Sequence, residues 1–192
     1  MGHRLGLSSK SNLGSDYCHY HNMAGWVELM TGIPKGVLFH FKESLKYIDM
    51  VKKEKSPEGM ISDAVFAFAV MGDEKLGGRW AKVLQKRLET EKTDVERYYK
   101  QEKTLLLDEL LVAYFLESNA RVRELLDRED GYRICWFCSS PVCREIEGVR
   151  VLFLLREGRR EEAKERLMNN LKLQPVNEYM LAIRHFCFGD KL

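Results

Sequence analysis

The run Cys135-Trp136-Phe137-Cys138, with Cys143 close behind, is the sharpest candidate for chemistry in the chain. Two thiolates in a Cys-x-x-Cys spacing can chelate Zn²⁺ from a single turn, at about 2.3 Å per Zn–S bond. The fourth ligand has to come from elsewhere: Cys18, His19 or His21 near the N-terminus, or His185 or Cys187 near the C-terminus. Cys135, Cys138, Cys143 and His19 are therefore the candidate metal ligands, and such a site would staple the N-terminal segment to the rest of the chain. The competing expectation is that these cysteines act as small hydrophobes beside Trp136 and Phe137, with no cofactor bound. Redox use of the pair needs βαβ surroundings, which the sequence does not offer.

Carboxylates cluster at Asp108-Glu109, Glu117, Asp127-Glu129-Asp130 and Glu161-Glu162. Asp108 and Glu109 lie inside a long apolar stretch. A buried acid there would be a candidate catalytic or ligand group, although acids in such a position are expected to face solvent between core residues. The sequence holds no Glu-x-x-His pair for a di-iron bundle, no His-Glu-x-x-His and no phosphate-binding Gly-rich loop ending in Gly-Lys-Ser/Thr. His19 and His21 are open to ligand, catalytic or surface roles. His40, between Phe39 and Phe41, suits packing. No catalytic residue is assigned.

Tyrosines are the other notable supply. Tyr98, Tyr99 and Tyr114, with Tyr17 and Tyr20 nearer the N-terminus, exceed what core filling obviously requires. Tyrosine buries large area at low entropy cost and is favoured at protein interfaces. Tyr98, Tyr99 and Tyr114 are thus candidate partner-binding residues.

The elements that must position these groups read as helices. Residues 1–33 are interrupted by Gly2, Gly6, Gly14, Gly25 and Gly32, so the segment is expected to be irregular, with at most a short helix over Met23 to Met30. Residues 34–192 form the helical domain. Val37, Leu38, Phe41, Leu45, Ile48 and Val51 recur at helical spacing. Ser56-Pro57 and Ser140-Pro141 are restart signals, each a cap followed by proline in the first helical position. Ile61 to Met71 is apolar nearly all round and marks a central helix. Thr93-Asp94-Val95-Glu96 is a capping box opening a long helix toward Leu116. Gly72-Asp73, Ser118-Asn119 and Gly158-Arg159 are turns a little over forty residues apart, a spacing that stacked helical hairpins produce. The expected fold is all-α, with about eight helices in antiparallel hairpins, either stacked or gathered into a compact bundle.

Gly158-Arg159-Arg160-Glu161-Glu162-Ala163, followed by Leu167 and Pro175, resembles the turn and second helix of a tetratricopeptide repeat. The resemblance covers about one repeat, residues 142–175. Asn170 departs from it, standing where a second small residue is expected, and the preceding helix lacks the aromatic/Leu-Gly signature. It implies helix-hairpin packing and transfers no binding specificity.

The chain has 192 residues and 31 Lys+Arg against 29 Asp+Glu, a net charge of +2. Near-balanced charge and a pI of 8.2 argue against a nucleic-acid partner, which calls for a one-sided basic stripe. The basic groups Lys52-Lys53-Lys55, Lys82-Lys86-Arg87 and Arg156-Arg159-Arg160 each have glutamates beside them. No stretch approaches the roughly 18 apolar residues of a membrane span, and five cysteines in a chain of this size suit a reducing, cytoplasmic setting. The expected function is a non-enzymatic protein–protein interaction module, an adaptor or an immunity- or antitoxin-type inhibitor of a partner protein. The alternative is a zinc-binding protein or enzyme using the Cys135/Cys138/Cys143 cluster.

Overall fold

The computed structural model describes residues 10–51, 57–91, 102–131 and 141–189. Among these residues there are nine α-helices and no strand, so the fold is all-α. In chain order they are α1 (Lys10–Thr31), α2 (Pro34–Lys46), a 3₁₀ turn (Ile48–Met50), α3 (Pro57–Val70) and α4 (Glu74–Glu91). Next come α5 (Glu102–Leu116), α6 (Asn119–Gly131), α7 (Pro141–Arg156), α8 (Arg160–Leu173), α9 (Glu178–Ile183) and a π-turn (Arg184–Phe188).

Local chemistry sets the boundaries. Pro34, Pro57 and Pro141 open their helices, where a missing N–H costs nothing. Asp73 Oδ1 accepts from the Leu76 N–H at 3.0 Å, and Ser118 Oγ from the Arg121 N–H at 3.3 Å, each satisfying an orphan donor of the helix it precedes. Asn177 Oδ1 does the same for α9, accepting from Tyr179 and Met180. Gly72 and Gly158 end their helices at φ +67 and +77, in the left-handed region that glycine enters without a Cβ penalty.

Sequential pairs pack together: α1 on α2, α3 on α4, α5 on α6, α7 on α8. Helix α3 lies at the centre, against α1, α2, α4, α5 and α7, and Ile61, Ala64, Val65, Phe66, Ala67 and Phe68 are sealed from solvent. That explains its largely apolar composition. Helix α9 returns to α1 and also covers α7 and α8. An open stack of hairpins makes only neighbour contacts; this chain closes on itself into a bundle. Gly158, Ala163 and Leu167 form the turn and the inner face of the α7–α8 hairpin, with Ala163 and Leu167 fully buried. Any helical hairpin places such residues there, so the packing does not identify a tetratricopeptide repeat.

The largest departure from the sequence-based expectation lies at the N-terminal side. Residues 10–31, expected within an irregular segment, are one helix of 22 residues. Gly14 and Gly25, helix breakers by type, are contact points in the fold. A Cβ on Gly25 would lie 2.9 Å from the Phe41 ring, and one on Gly14 would meet the Met50 side chain. Glycine lets α1 press against α2 and the 3₁₀ turn, and tertiary burial outweighs a helix-propensity cost of about 1 kcal/mol per glycine. Gly25→Ala, which would stabilise an isolated helix, is therefore expected to destabilise the protein by roughly 1–3 kcal/mol, because Phe41 is fully buried and has no room to retreat. Urea unfolding of the variant checks this.

Candidate functional site

Two groups of side chains stand out, one at the surface and one inside. The surface group joins α1 to α2. Tyr17 meets Tyr47 edge-on at 4.9 Å and His21 at 4.3 Å between ring centroids. His21 in turn touches Tyr20, Phe39 and His40, at 5.1, 5.8 and 5.0 Å. The rings form one continuous cluster, yet Tyr17, Tyr20 and Phe39 remain 42%, 62% and 53% exposed. Beneath them the Nδ1 atoms of His21 and His40 lie 2.8 Å apart, one donating to the other, and His40 Nε2 faces Glu28 Oε1 at 3.8 Å. Burial, then the neighbouring His40, hold the His21 pKa below its usual value, which favours the neutral imidazole. The cluster is an aromatic surface over a polar floor, with Glu43 and Lys46 of α2 within electrostatic reach of His21.

The α1 helix extends that surface. Leu13, Met23 and Val27 are also more than half exposed, while Gly14, Ser15, Cys18, His21, Asn22, Gly25 and Leu29 form its buried face. Cys18 packs its Sγ 3.3 Å from Ser44 Oγ and 3.5 Å from Met60 Sδ, and burial raises its pKa. That is the environment of an inert core thiol.

The interior group is acidic. Asp63 on α3, Asp108 on α5 and Glu145 on α7 are close enough to act on one another electrostatically, although they come from three helices. Asn22 Nδ2 donates to Asp63 Oδ2 at 2.8 Å, and Trp26, one turn along α1, also donates to Asp63. Ser62 Oγ donates to Asp108. The Tyr179 hydroxyl donates to Glu145 Oε2 at 3.3 Å, while Glu145 Oε1 finds no hydrogen-bond partner. Burial pushes the Asp63 pKa up to about 6 and that of Glu145 well above the carboxylate range, the Glu145 shift being reinforced by Asp63 and Asp108. Two of these acids therefore hold protons far more readily than free carboxyls do. An aromatic wall encloses them: Trp26 stacks on Phe66 at 6.1 Å, and both meet Tyr179 edge-on at 4.9 and 5.2 Å. Gly148 of α7 admits this wall, since a Cβ there would lie 2.9 Å from Phe66.

The residues that the sequence singles out are scattered by the fold. Cys135, Cys138, Tyr98 and Tyr99 lie outside the described residues, as does the side chain of Cys143, whose backbone belongs to the first turn of α7. His19 lies on α1, which packs on α2, α3 and α9. Among the described residues no group of three or more His, Cys, Asp or Glu side chains is placed to hold a metal. Tyr114 is 7% exposed, its ring under the Arg156 guanidinium at 5.1 Å and its pKa pushed up to about 12 by burial. It is a core residue, so the expectation of a partner-binding Tyr114 is corrected. Asp108 and Glu109 are likewise buried, where solvent exposure was expected. Glu109 reaches Arg128 at 3.1 Å and lines a cleft of about 110 Å³ with Glu89, Glu117 and Arg121.

Asp63 and Glu145 are not among the residues the sequence points to, though each leaves a signal there. Asp63 is the lone charge within Ile61 to Met71, and Glu145 precedes Val149 by four residues, in phase with the apolar face of α7. No protein-family model matches the chain, and no curated protein or solved structure is similar to it. Among the described residues no helix is long and apolar enough to cross a membrane.

Proposed function

We propose that this chain is a non-enzymatic protein–protein interaction module that docks its partner on the joint face of α1 and α2, as an adaptor or as an inhibitor that occludes a partner's surface. The observation that supports this is the continuous ring cluster whose outer members, Tyr17, Tyr20 and Phe39, are about half exposed. Interface cores are enriched in tyrosine and phenylalanine and depleted of charge, and contiguous exposed apolar surface marks interaction sites. Of the ten exposed large hydrophobic side chains among the described residues, only Leu173 and Val176 lie outside residues 13–50.

The test is retention of proteins from a native extract on the immobilised chain, compared with a Tyr20→Glu/Phe39→Glu double variant. Both side chains are exposed, so the variant's stability is expected to stay within about 1 kcal/mol of the parent. Loss of a stoichiometric partner with the melting curve retained supports the reading. Retention of the same partner by the folded double variant removes this face from consideration.

A further inference from the structure

We propose that Asp63 is a pH-operated catch for the α1–α2 hairpin, independently of what docks on the hairpin's outer face. Protonated, it seats the hairpin on the central helix α3; ionised, it lets the hairpin lift.

The first observation is where the hairpin is tied. Helices α1 and α2 pack most extensively on each other, and α1 meets the body of the bundle at α3 and α9. Two donors of α1 converge there on one carboxyl. Asn22 Nδ2 donates to Asp63 Oδ2 at 2.8 Å, and Trp26, one turn further along, donates to the same side chain. The Trp26 ring then lies against Phe66 of α3 and Tyr179 of α9. Polar tie and aromatic packing are thus set side by side, and both involve Trp26.

The second observation is the charge around that carboxyl. Glu178 and Tyr179 of α9 and Glu145 of α7 interact with Asp63 electrostatically. Asp108 of α5, held by the Ser62 hydroxyl, adds its charge at Glu145. Arg144 of α7 is paired with Glu178 at 3.1 Å. Ionising Asp63 places a further negative charge among acids, where little water screens them. The two N–H donors of α1 favour that charge, but they replace only part of the hydration of an exposed carboxylate. Burial prevails over them, and the Asp63 pKa stands at about 6. The residue keeps partial contact with solvent, which gives its proton a way in and out of the folded chain.

The third observation is what gives way. Because α1 lies over Asp63, lifting it returns the carboxyl to water and toward its ordinary value of 3.8. Loss of the proton favours the lifted state, whose weight against the seated one rises roughly tenfold between pH 5 and pH 7.5. Complete unfolding also frees Asp63, but it breaks the packing of α5 against α7 as well. Lifting the hairpin is the smaller opening.

Hydrogen–deuterium exchange of the full chain at pH 5 and pH 7.5, corrected for the intrinsic pH dependence of amide exchange, tests this. The comparison is Asp63→Asn, which keeps an acceptor for Asn22 and Trp26 and cannot ionise. His21 of α1 titrates with the opposite sign, so the readout is α1 protection in the parent divided by that in the variant. That ratio is expected to fall roughly tenfold from pH 5 to pH 7.5, with α1 less protected than α5 at both. A ratio that ignores pH overturns the proposal. So does α1 protection equal to that of α5 at both values, because the hairpin then has no movement of its own. If Asp63→Asn does not fold, a carbon NMR titration of the Asp63 carboxyl in the parent decides. A midpoint near 6 together with falling α1 protection supports the catch, and either without the other overturns it.

Discussion

Phe66→Ala is expected to lower the unfolding free energy by roughly 3–5 kcal/mol, the range for a buried phenylalanine whose cavity cannot collapse. Phe66 is fully buried on the central helix, and the rings it supports, Trp26 and Tyr179, come from α1 and α9. Removing it withdraws the shared neighbour of three helices, so relaxation by any one of them leaves the others unsupported. Against a typical total of about 5–15 kcal/mol, such a loss brings the domain near its unfolding threshold. Chemical denaturation checks this, with Phe66→Leu as the companion variant expected to cost about 1 kcal/mol, because most of the volume is kept. Equal stability of Phe66→Ala and the parent would show that the wall is not packed as described.

The second large effect concerns pH. Asp63 and Glu145 both bind protons more tightly in the folded chain than in the unfolded one. For an acid with a raised folded pKa, the unfolded state releases its proton first, so stability falls as pH rises between the unfolded and folded values. Asp63 titrates near 6 in place of 3.8, which corresponds to about 3 kcal/mol lost between pH 4 and pH 6. Glu145 is shifted in the same direction and adds to the decline. His21 acts the other way: its lowered pKa makes stability fall as pH drops below its ordinary value of 6.5. Above 6.5 the opposing His21 contribution fades and the raised acids set the sign of the slope. Between pH 6.5 and 8 the melting temperature is expected to fall with rising pH. Glu145→Gln, which mimics the protonated acid and still accepts from Tyr179, is expected to raise the melting temperature at pH 8 and flatten the slope. A steeper slope in the Gln variant would show that the carboxylate is a stabilising charge.

Most helix boundaries were legible in the sequence because they depend on local chemistry. Gly72, Asp73, Ser118 and Gly158 do at their turns what their types dictate, and the apolar run from Ile61 became the buried centre. The features that could not be read depend on partners distant in sequence. Gly14 and Gly25 break a helix in isolation, and only Met50 and Phe41, brought against α1 by the fold, turn them into packing positions. Asp108 sits in the same kind of stretch whether it faces water or Ser62, so its own neighbours in sequence could not place it. The aromatic face was partly legible, since Tyr17 and Tyr20 were in excess. Phe39 joins them only because α2 folds back along α1.

The contact between α9 and α1 also sets a schedule. Trp26 and Tyr179, which meet edge to face, are about 150 residues apart along the chain. At a synthesis rate of roughly 5–20 residues per second, the first helix waits on the order of ten to thirty seconds before its last neighbour exists. Until then Trp26 lacks part of its cover, on a helix whose other side is already apolar. A nascent chain of this kind presents greasy surface on two sides at once. The final turn of the molecule is thus what covers the inner of those two sides.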